Sequence, residues 1–524
     1  MFTNKKSLLA LSIASVFALS GCFSDDDGND YAPPGPGPDP EVVVPPEAPV
    51  EIGAVVYGNI VDVEDSATLP STVTFYEAGV ASENIVDVDG NVTDTVESED
   101  GSFVFQLKDG ADIDEVTAVV TSEGYVSKSF ILDLTEFGSD DISLTLGLTS
   151  EDNVAVFTSE PVALTGGSSA TEIKVPVMGD DGASSEVTIP ANTVLQDANG
   201  DPVTGSVTVK LTTAKPGSAS FAAIIPEGLN EPNATTVLKP AGVTSVEMLN
   251  ADGVKVKQFS SPINVNMAVE TGTAGPLALS SNDEDTGKWT QETEQVTVAS
   301  DIGSFTTSHL TLFAGSVSAP VCGSPITFNF DGDAIPNPSG LTLSLLSTDG
   351  SKSYNVKGNN FTISQGKISR AGISNESTAV VQLTDVEGNV WFESDDEVAL
   401  CTAGVGQAVA ATLVNPIAPV SETLSITAVC SNDDSVSIGA SGALVKYSRN
   451  GKGIKVAKGD GEGNYALNNM QDGETYNVTV KYKGSLKSIA DAAFTITADG
   501  TDEERSESLV CPTSTGGTGG TGGN

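Results

Sequence analysis

The chain has 524 residues, and 71 acidic against 24 basic side chains leave a formal charge of −47. Charged residues make up only 18%, so lysine and arginine are scarce more than acid is abundant, which argues against nucleic acid or anionic lipid as an electrostatic partner. Hydrophobic residues at 39% argue against disorder throughout, and a single histidine argues against most histidine-based catalysis and zinc chemistry.

Residues 1–21 read as a secretory signal, with Lys5 and Lys6 ahead of an apolar run from Ser7 to Leu19. The run ends in Leu19-Ser20-Gly21-Cys22, which resembles a bacterial lipobox. That resemblance implies cleavage before Cys22 and lipidation of its thiol. Phe23, where an aspartate would retain a Gram-negative lipoprotein in the inner membrane, implies an outer-membrane address. The chain is then lipid-anchored, at the cell surface or on the periplasmic face. From Cys22 to Val50 runs an acidic tether followed by proline-rich chain, with Pro33, Pro34, Pro36, Pro38, Pro40, Pro45, Pro46 and Pro49 favouring extended polyproline II.

Short β-branched runs between glycine-rich turn signals predict an all-β chain of several small domains. Residues 51–150 form the first, with Ala54-Val55-Val56-Tyr57-Gly58, Ser71–Tyr76 and Asp100-Gly101-Ser102-Phe103-Val104-Phe105 as strand-like runs. The last of these, followed by Glu123-Gly124-Tyr125, resembles the transthyretin-like domains of the carboxypeptidase-regulatory and collagen-adhesin B-repeat type. The resemblance implies an accessory sandwich with no catalytic residues. Some relatives of that class carry a lysine–asparagine crosslink, but neither Lys108 nor Lys128 lies on an evident first strand.

Residues 151–320 predict a larger sandwich, with Val207–Leu211, Ser245–Leu249 and Ile263–Met267 as alternating strands. "IPANT" at residues 189–193 and "HLTLF" at 309–313 resemble a module of ankyrin and netrin-receptor cytoplasmic regions. Two further domains, 321–415 and 416–512, carry the cysteines. Four cysteines allow three pairings. Separations of 79 and 81, with a glutamate four residues ahead of Cys401 and Cys511, favour Cys322–Cys401 and Cys430–Cys511. Each bridge would staple first strand to last in an exported, oxidising setting. "GNYAL" at 463–467 and "DGETYNVTV" at 472–480 again resemble the B-repeat, and Thr513–Asn524 reads as a flexible tail.

Candidate chemistry is sparse. His309 sits beside Ser308, but neighbours on one strand point to opposite faces, so the pair cannot act as base and nucleophile. Calcium is one reading of Asp87 and Asp89, Asp283 and Asp285, and Asp331 and Asp333; hairpin turns are the other, and none completes a calcium loop. No cofactor is expected apart from that ion. Trp289 and Trp391 read as core residues. The sequence therefore predicts immunoglobulin-like or transthyretin-like β-sandwiches in tandem behind a signal peptide and proline-rich linker. The expected role is structural or adhesive and non-catalytic, with a glycan-binding accessory module as the alternative.

Overall fold

The computed structural model describes residues 41–515, apart from 136, 139–140, 338 and 348–349. The signal segment, Cys22, most of the tether and residues 516–524 lie outside the described residues. Residues 45–511 form one compact unit, and the described residues 41–44 and 512–515 belong to another. In the latter, Glu41–Val43 pairs antiparallel with Thr513–Thr515. Both stretches were expected as tether and tail. Val42 and Val43 on one side, and Thr513 and Thr515 on the other, are β-branched, which favours extended pairing over irregular chain.

The compact unit is all-β and divides into four sandwiches. Three of them share one topology. In the first, the opening strand Val56–Asp62 lies parallel to the closing strand Ile142–Leu148 and antiparallel to Ser102–Leu107. The facing layer is built on Ser71–Glu77, Glu115–Thr121 and Lys128–Asp133. The third repeats this with Ile326–Gly332 parallel to Ala408–Leu413, and the fourth with Pro419–Cys430 parallel to Glu503–Leu509. Alternating burial along Pro419–Cys430 shows the period-two pattern that a half-buried strand requires.

The second sandwich is larger and arises from one continuous sheet that folds over itself. Lys288–Ala299 pairs with Leu277–Asp283 along its first part, and its end pairs with Ile302–His309 in the opposite layer. Between the layers lie buried Val207, Val209, Leu211, Val265, Val296, Phe305 and Phe313. Residues 307–313 do not form one strand. The chain turns at Leu310 and Thr311, because Leu310, Leu312 and Phe313 are all buried and a single strand could not hide all three on one face.

The parallel pairing of opening and closing strands explains the cysteine spacing. Thr327 lies beside Ala408 and Leu424 beside Glu503, so partners in these ladders are separated along the chain by nearly the cysteine separations of 79 and 81. Both disulfides are present, with Cα–Cα distances of 6.0 and 5.3 Å. They are not equivalent. Cys322 precedes its opening strand, whereas Cys430 ends one and Cys511 follows the closing strand. Parallel strands bring together both their starts and their ends, so a staple of similar span fits at either end. The cysteine flanks thus suggest a closer duplication than the structure contains, and the fourth sandwich starts about a strand length before Cys430.

Candidate functional site at the joints between the sandwiches

The scarce cations are concentrated where sandwiches meet. Residues 321–415 contain Lys352, Lys357, Lys367 and Arg370 and no other lysine or arginine. All four reach out of the third sandwich. Lys352 pairs with Glu227 of the second at 3.3 Å, Lys367 with Asp133 and Arg370 with Glu115 of the first, and Lys357 donates to the Asp141 carbonyl. Lys128 joins the first sandwich to the second: its buried Nζ donates to the Ala223 carbonyl at 2.8 Å and lies over the Phe130 ring. Burial pushes Lys128 down to about 8.

The joint between the third and fourth sandwiches encloses its charges. Glu387 is fully enclosed and accepts from Lys455 at 2.7 Å, Arg449 at 2.6 and 2.9 Å, and the Tyr476 hydroxyl at 3.0 Å. Burial alone would push the Glu387 carboxyl up, but Lys455 and Arg449 outweigh it and hold the group below its ordinary range. Breaking such a buried pair from one side leaves an uncompensated charge, which costs far more than the pair contributes net.

Glu387 belongs to a turn that recurs. In Asp385-Val386-Glu387-Gly388-Asn389, the Asp385 carboxylate accepts from the backbone N–H of Glu387 and Asn389, each at 3.0 Å, and from the Asn389 amide. The same bonds fold Asp87-Val88-Asp89-Gly90-Asn91 in the first sandwich and Asp460-Gly461-Glu462-Gly463-Asn464 in the fourth. The fourth-position glycine has φ of 83°, 80° and 94° in the three turns, which other residues adopt at a cost. In two of them the central acid reaches cations of the fourth sandwich: Glu387 as above, and Asp89 with Lys481 at 3.0 Å and Lys487 at 3.9 Å. Lys446 of the fourth sandwich also pairs with Asp100 of the first at 3.4 Å.

Apolar contacts accompany the charges. Val55, Tyr57 and Val88 of the first sandwich pack with Leu444, Ile454 and Val456 of the fourth. The short helix Ala219–Ile224, capped by Ser218, presents Phe221 and Ile224 to a cluster that includes Val126 and Val154. Buried Asn59 clamps the Ile454 backbone, accepting from its N–H at 2.8 Å and donating to its carbonyl at 3.4 Å. Pro45–Val50, expected as tether, lies along the fourth sandwich, where the Pro49 and Glu47 carbonyls accept from Ser441 and Ser485 at 2.9 and 2.6 Å. Proline lacks an N–H but keeps its carbonyl, so an extended proline-rich segment can still be bonded from one side.

Three sandwiches meet at Gly453. A Cβ there would collide with the Val386 carbonyl of the third sandwich and approach Asn59 of the first at 2.8 Å. Gly453→Ala is expected to lower stability by about 1–3 kcal/mol through overpacking. Calorimetry would show this as a fall in the transition that contains the fourth sandwich.

The six aspartates considered for calcium do not converge. Asp87 folds its turn, and Asp89 takes lysines. Asp283 accepts from the Asp285 N–H at 3.2 Å and the Thr286 hydroxyl at 3.0 Å, while Asp285 pairs with Lys255 and with Lys257 at 2.5 Å. Asp331 is exposed in its strand, and Asp333 accepts from the Asn415 N–H at 2.8 Å. Among the described residues, no group of three or more His, Cys, Asp or Glu is placed to hold a metal.

His309 faces Glu292 at 3.4 Å and Thr307 at 3.2 Å and rests against Phe313. Trp391 is buried in the third sandwich, whereas Trp289 is half-buried beside the helix cluster and donates to the Glu227 carbonyl at 2.9 Å. Cys22 lies outside the described residues. The joints themselves escaped sequence reasoning, although the repeated Asp-x-acid-Gly-Asn pattern at 87, 385 and 460 is a signal that could have found the turns. Among the described residues, no helix is long and apolar enough to cross a membrane.

No protein-family model matches the chain, and no curated protein matches it. Among solved structures it is similar to the Bacillus anthracis TIE protein, at 9% identity and a TM-score of 0.14 over 68% of this chain and 57% of that one. The chain thus spans little more than half of that protein. It is also similar to the minor pilin GBS52 of Streptococcus agalactiae, at 9% identity and TM-score 0.16, over 36% of this chain and 97% of that one. For BcpA, the major pilin subunit of Bacillus cereus, identity is 11% and TM-score 0.13, over 87% and 99% of the two chains. The body is a tandem of β-sandwiches. That assignment rests on its own sheets, since TM-scores this low carry nothing further.

Proposed function

We propose that the chain is a lipid-anchored envelope protein whose role is structural or adhesive and not catalytic: it holds a four-sandwich body out from a membrane as one unit. The observation that carries this reading is the use of the cations. A chain with 24 basic residues among 524 places Lys352, Lys367, Arg370, Lys446, Arg449, Lys455, Lys481 and Lys487 in ion pairs between sandwiches. Such pairing suits a component that transmits position or load more than one that opens around a substrate. The anchor rests on Leu19-Ser20-Gly21-Cys22 and on the absence of any other long apolar run in the sequence.

The expected result of Cys22→Ala is loss of the protein from the membrane fraction; continued sedimentation with membranes would refute the anchor. Protease added to intact cells is expected to cut in residues 23–40 and free the body, which supports an outward-facing, adhesive role. Protection until the outer membrane is broken would overturn surface exposure and favour a scaffold inside the envelope.

A further inference from the structure

We propose that the cleft where the first, second and third sandwiches meet binds a short neutral oligosaccharide. Three cavities of about 120, 260 and 360 Å³ adjoin there: the first two share Glu227, Tyr354 and Asn355, and the last two share Val63, Ala223 and Leu346. The middle cavity is near the lower end of the size of small-ligand sites, enough for one sugar ring, with its neighbours for the rings on either side.

The walls are hydroxyl-rich by construction. The third sandwich turns the outer face of its sheet towards the first, and Thr342, Ser344, Gln382 and Thr384 line the cavity. Opposite are Ser143 and Thr145 of the closing strand Ile142–Leu148, which is an edge strand bonded only to Val56–Asp62. A fully closed joint would interlock these faces. Here they touch at Thr145 and Thr342, whose hydroxyls stand 3.5 Å apart at the outer limit of a hydrogen bond, and the cavity lies beside that contact. Tyr354 and Phe361, with ring centroids 5.5 Å apart, border the smallest cavity and supply the aromatic surface that sugar C–H faces pack on.

Charge selects a neutral guest. Across the three cavities Lys128, Lys352, Lys357, Lys367 and Arg370 are balanced by Asp62, Glu64, Asp133, Glu227 and Glu397, so the lining favours neither sign. Each of these cations already has its carboxylate or carbonyl, and the molecule's charge of −47 repels anions at a distance. What is left to bind is hydroxyl, amide and ring.

The test is calorimetric titration of the full mature chain with maltotriose, cellotriose and chitotriose, and with trigalacturonate as an anionic control. One neutral trisaccharide is expected to bind, and Thr145→Val/Thr342→Val, which removes hydroxyls at nearly constant volume, is expected to weaken it about tenfold. Tyr354→Ala should weaken it further, with circular dichroism checking that both variants fold. No binding of any neutral trisaccharide, binding untouched by the Thr variant, or a preference for trigalacturonate would each overturn the proposal. Those outcomes leave membrane anchoring and surface exposure unaffected, so failure here is distinguishable from failure of the structural reading.

Discussion

Glu387→Gln is expected to cost about 3–5 kcal/mol and to release the fourth sandwich from the third. The carboxylate is fully enclosed, and its partners Lys455 and Arg449 are 3% and 16% exposed, so neutralising it strands two cations in a region water hardly reaches. Calorimetry should resolve a separate, earlier transition for the fourth sandwich. Adding Lys455→Met should recover part of the loss, because removing both partners is cheaper than removing one. The same group fixes a pH dependence. Its folded pKa is depressed below the ordinary value of 4.5, so its stabilisation is complete above that value. It is lost as pH falls through the depressed value. The joint should therefore weaken in acid below about pH 4.5, and Glu387→Gln should flatten that dependence.

Replacing Cys430 and Cys511 together with serine is the second large perturbation. The bridge closes 81 residues, and in the loop-entropy model such a span stabilises by roughly 4 kcal/mol. It ties the end of the opening strand to a point two residues past the closing strand, in a sandwich whose half-exposed closing strand Glu503–Leu509 pairs, among the described residues, with Pro419–Cys430 alone. The expected result is fraying of that strand first, read as rapid hydrogen exchange at 503–509, followed by a lower unfolding midpoint. Unchanged exchange there would mean that the ladder and not the bridge holds the strand.

Much of the fold was legible because it rests on local signals. Alternation along Val207–Leu211 or Tyr476–Val480 gives strands directly, and the turn glycines mark where they end. The cysteine separations pointed to the right partners because parallel opening and closing strands convert a sequence distance into a spatial one. They misled about equivalence, since spacing cannot tell which end of a strand carries the staple. Segments at the margins were harder: Glu41–Val43, set between Pro40 and Pro45, and the proline-rich Pro45–Val50 look like linker, yet one pairs and the other is bonded along its carbonyls. The joints were illegible for a different reason. An exposed-looking acid in a turn, such as Asp89 or Glu387, reads as solvated until a partner from a distant sandwich is known. Contacts such as Asn59 with Ile454 join residues nearly 400 positions apart, and no local pattern encodes them.

Limited proteolysis of the purified chain, read by intact mass, tests most directly whether the sandwiches act as one body. The stretches between them, 149–154, 321–325 and 414–418, are short and partly exposed, with Val414 at 61%. If the joints hold, low protease leaves a single fragment spanning residues 45–511, and Glu387→Gln opens a cut near 414–418. Fragments of one sandwich each from the unmodified chain, appearing together at low protease, would contradict a locked body and return the molecule to independent beads.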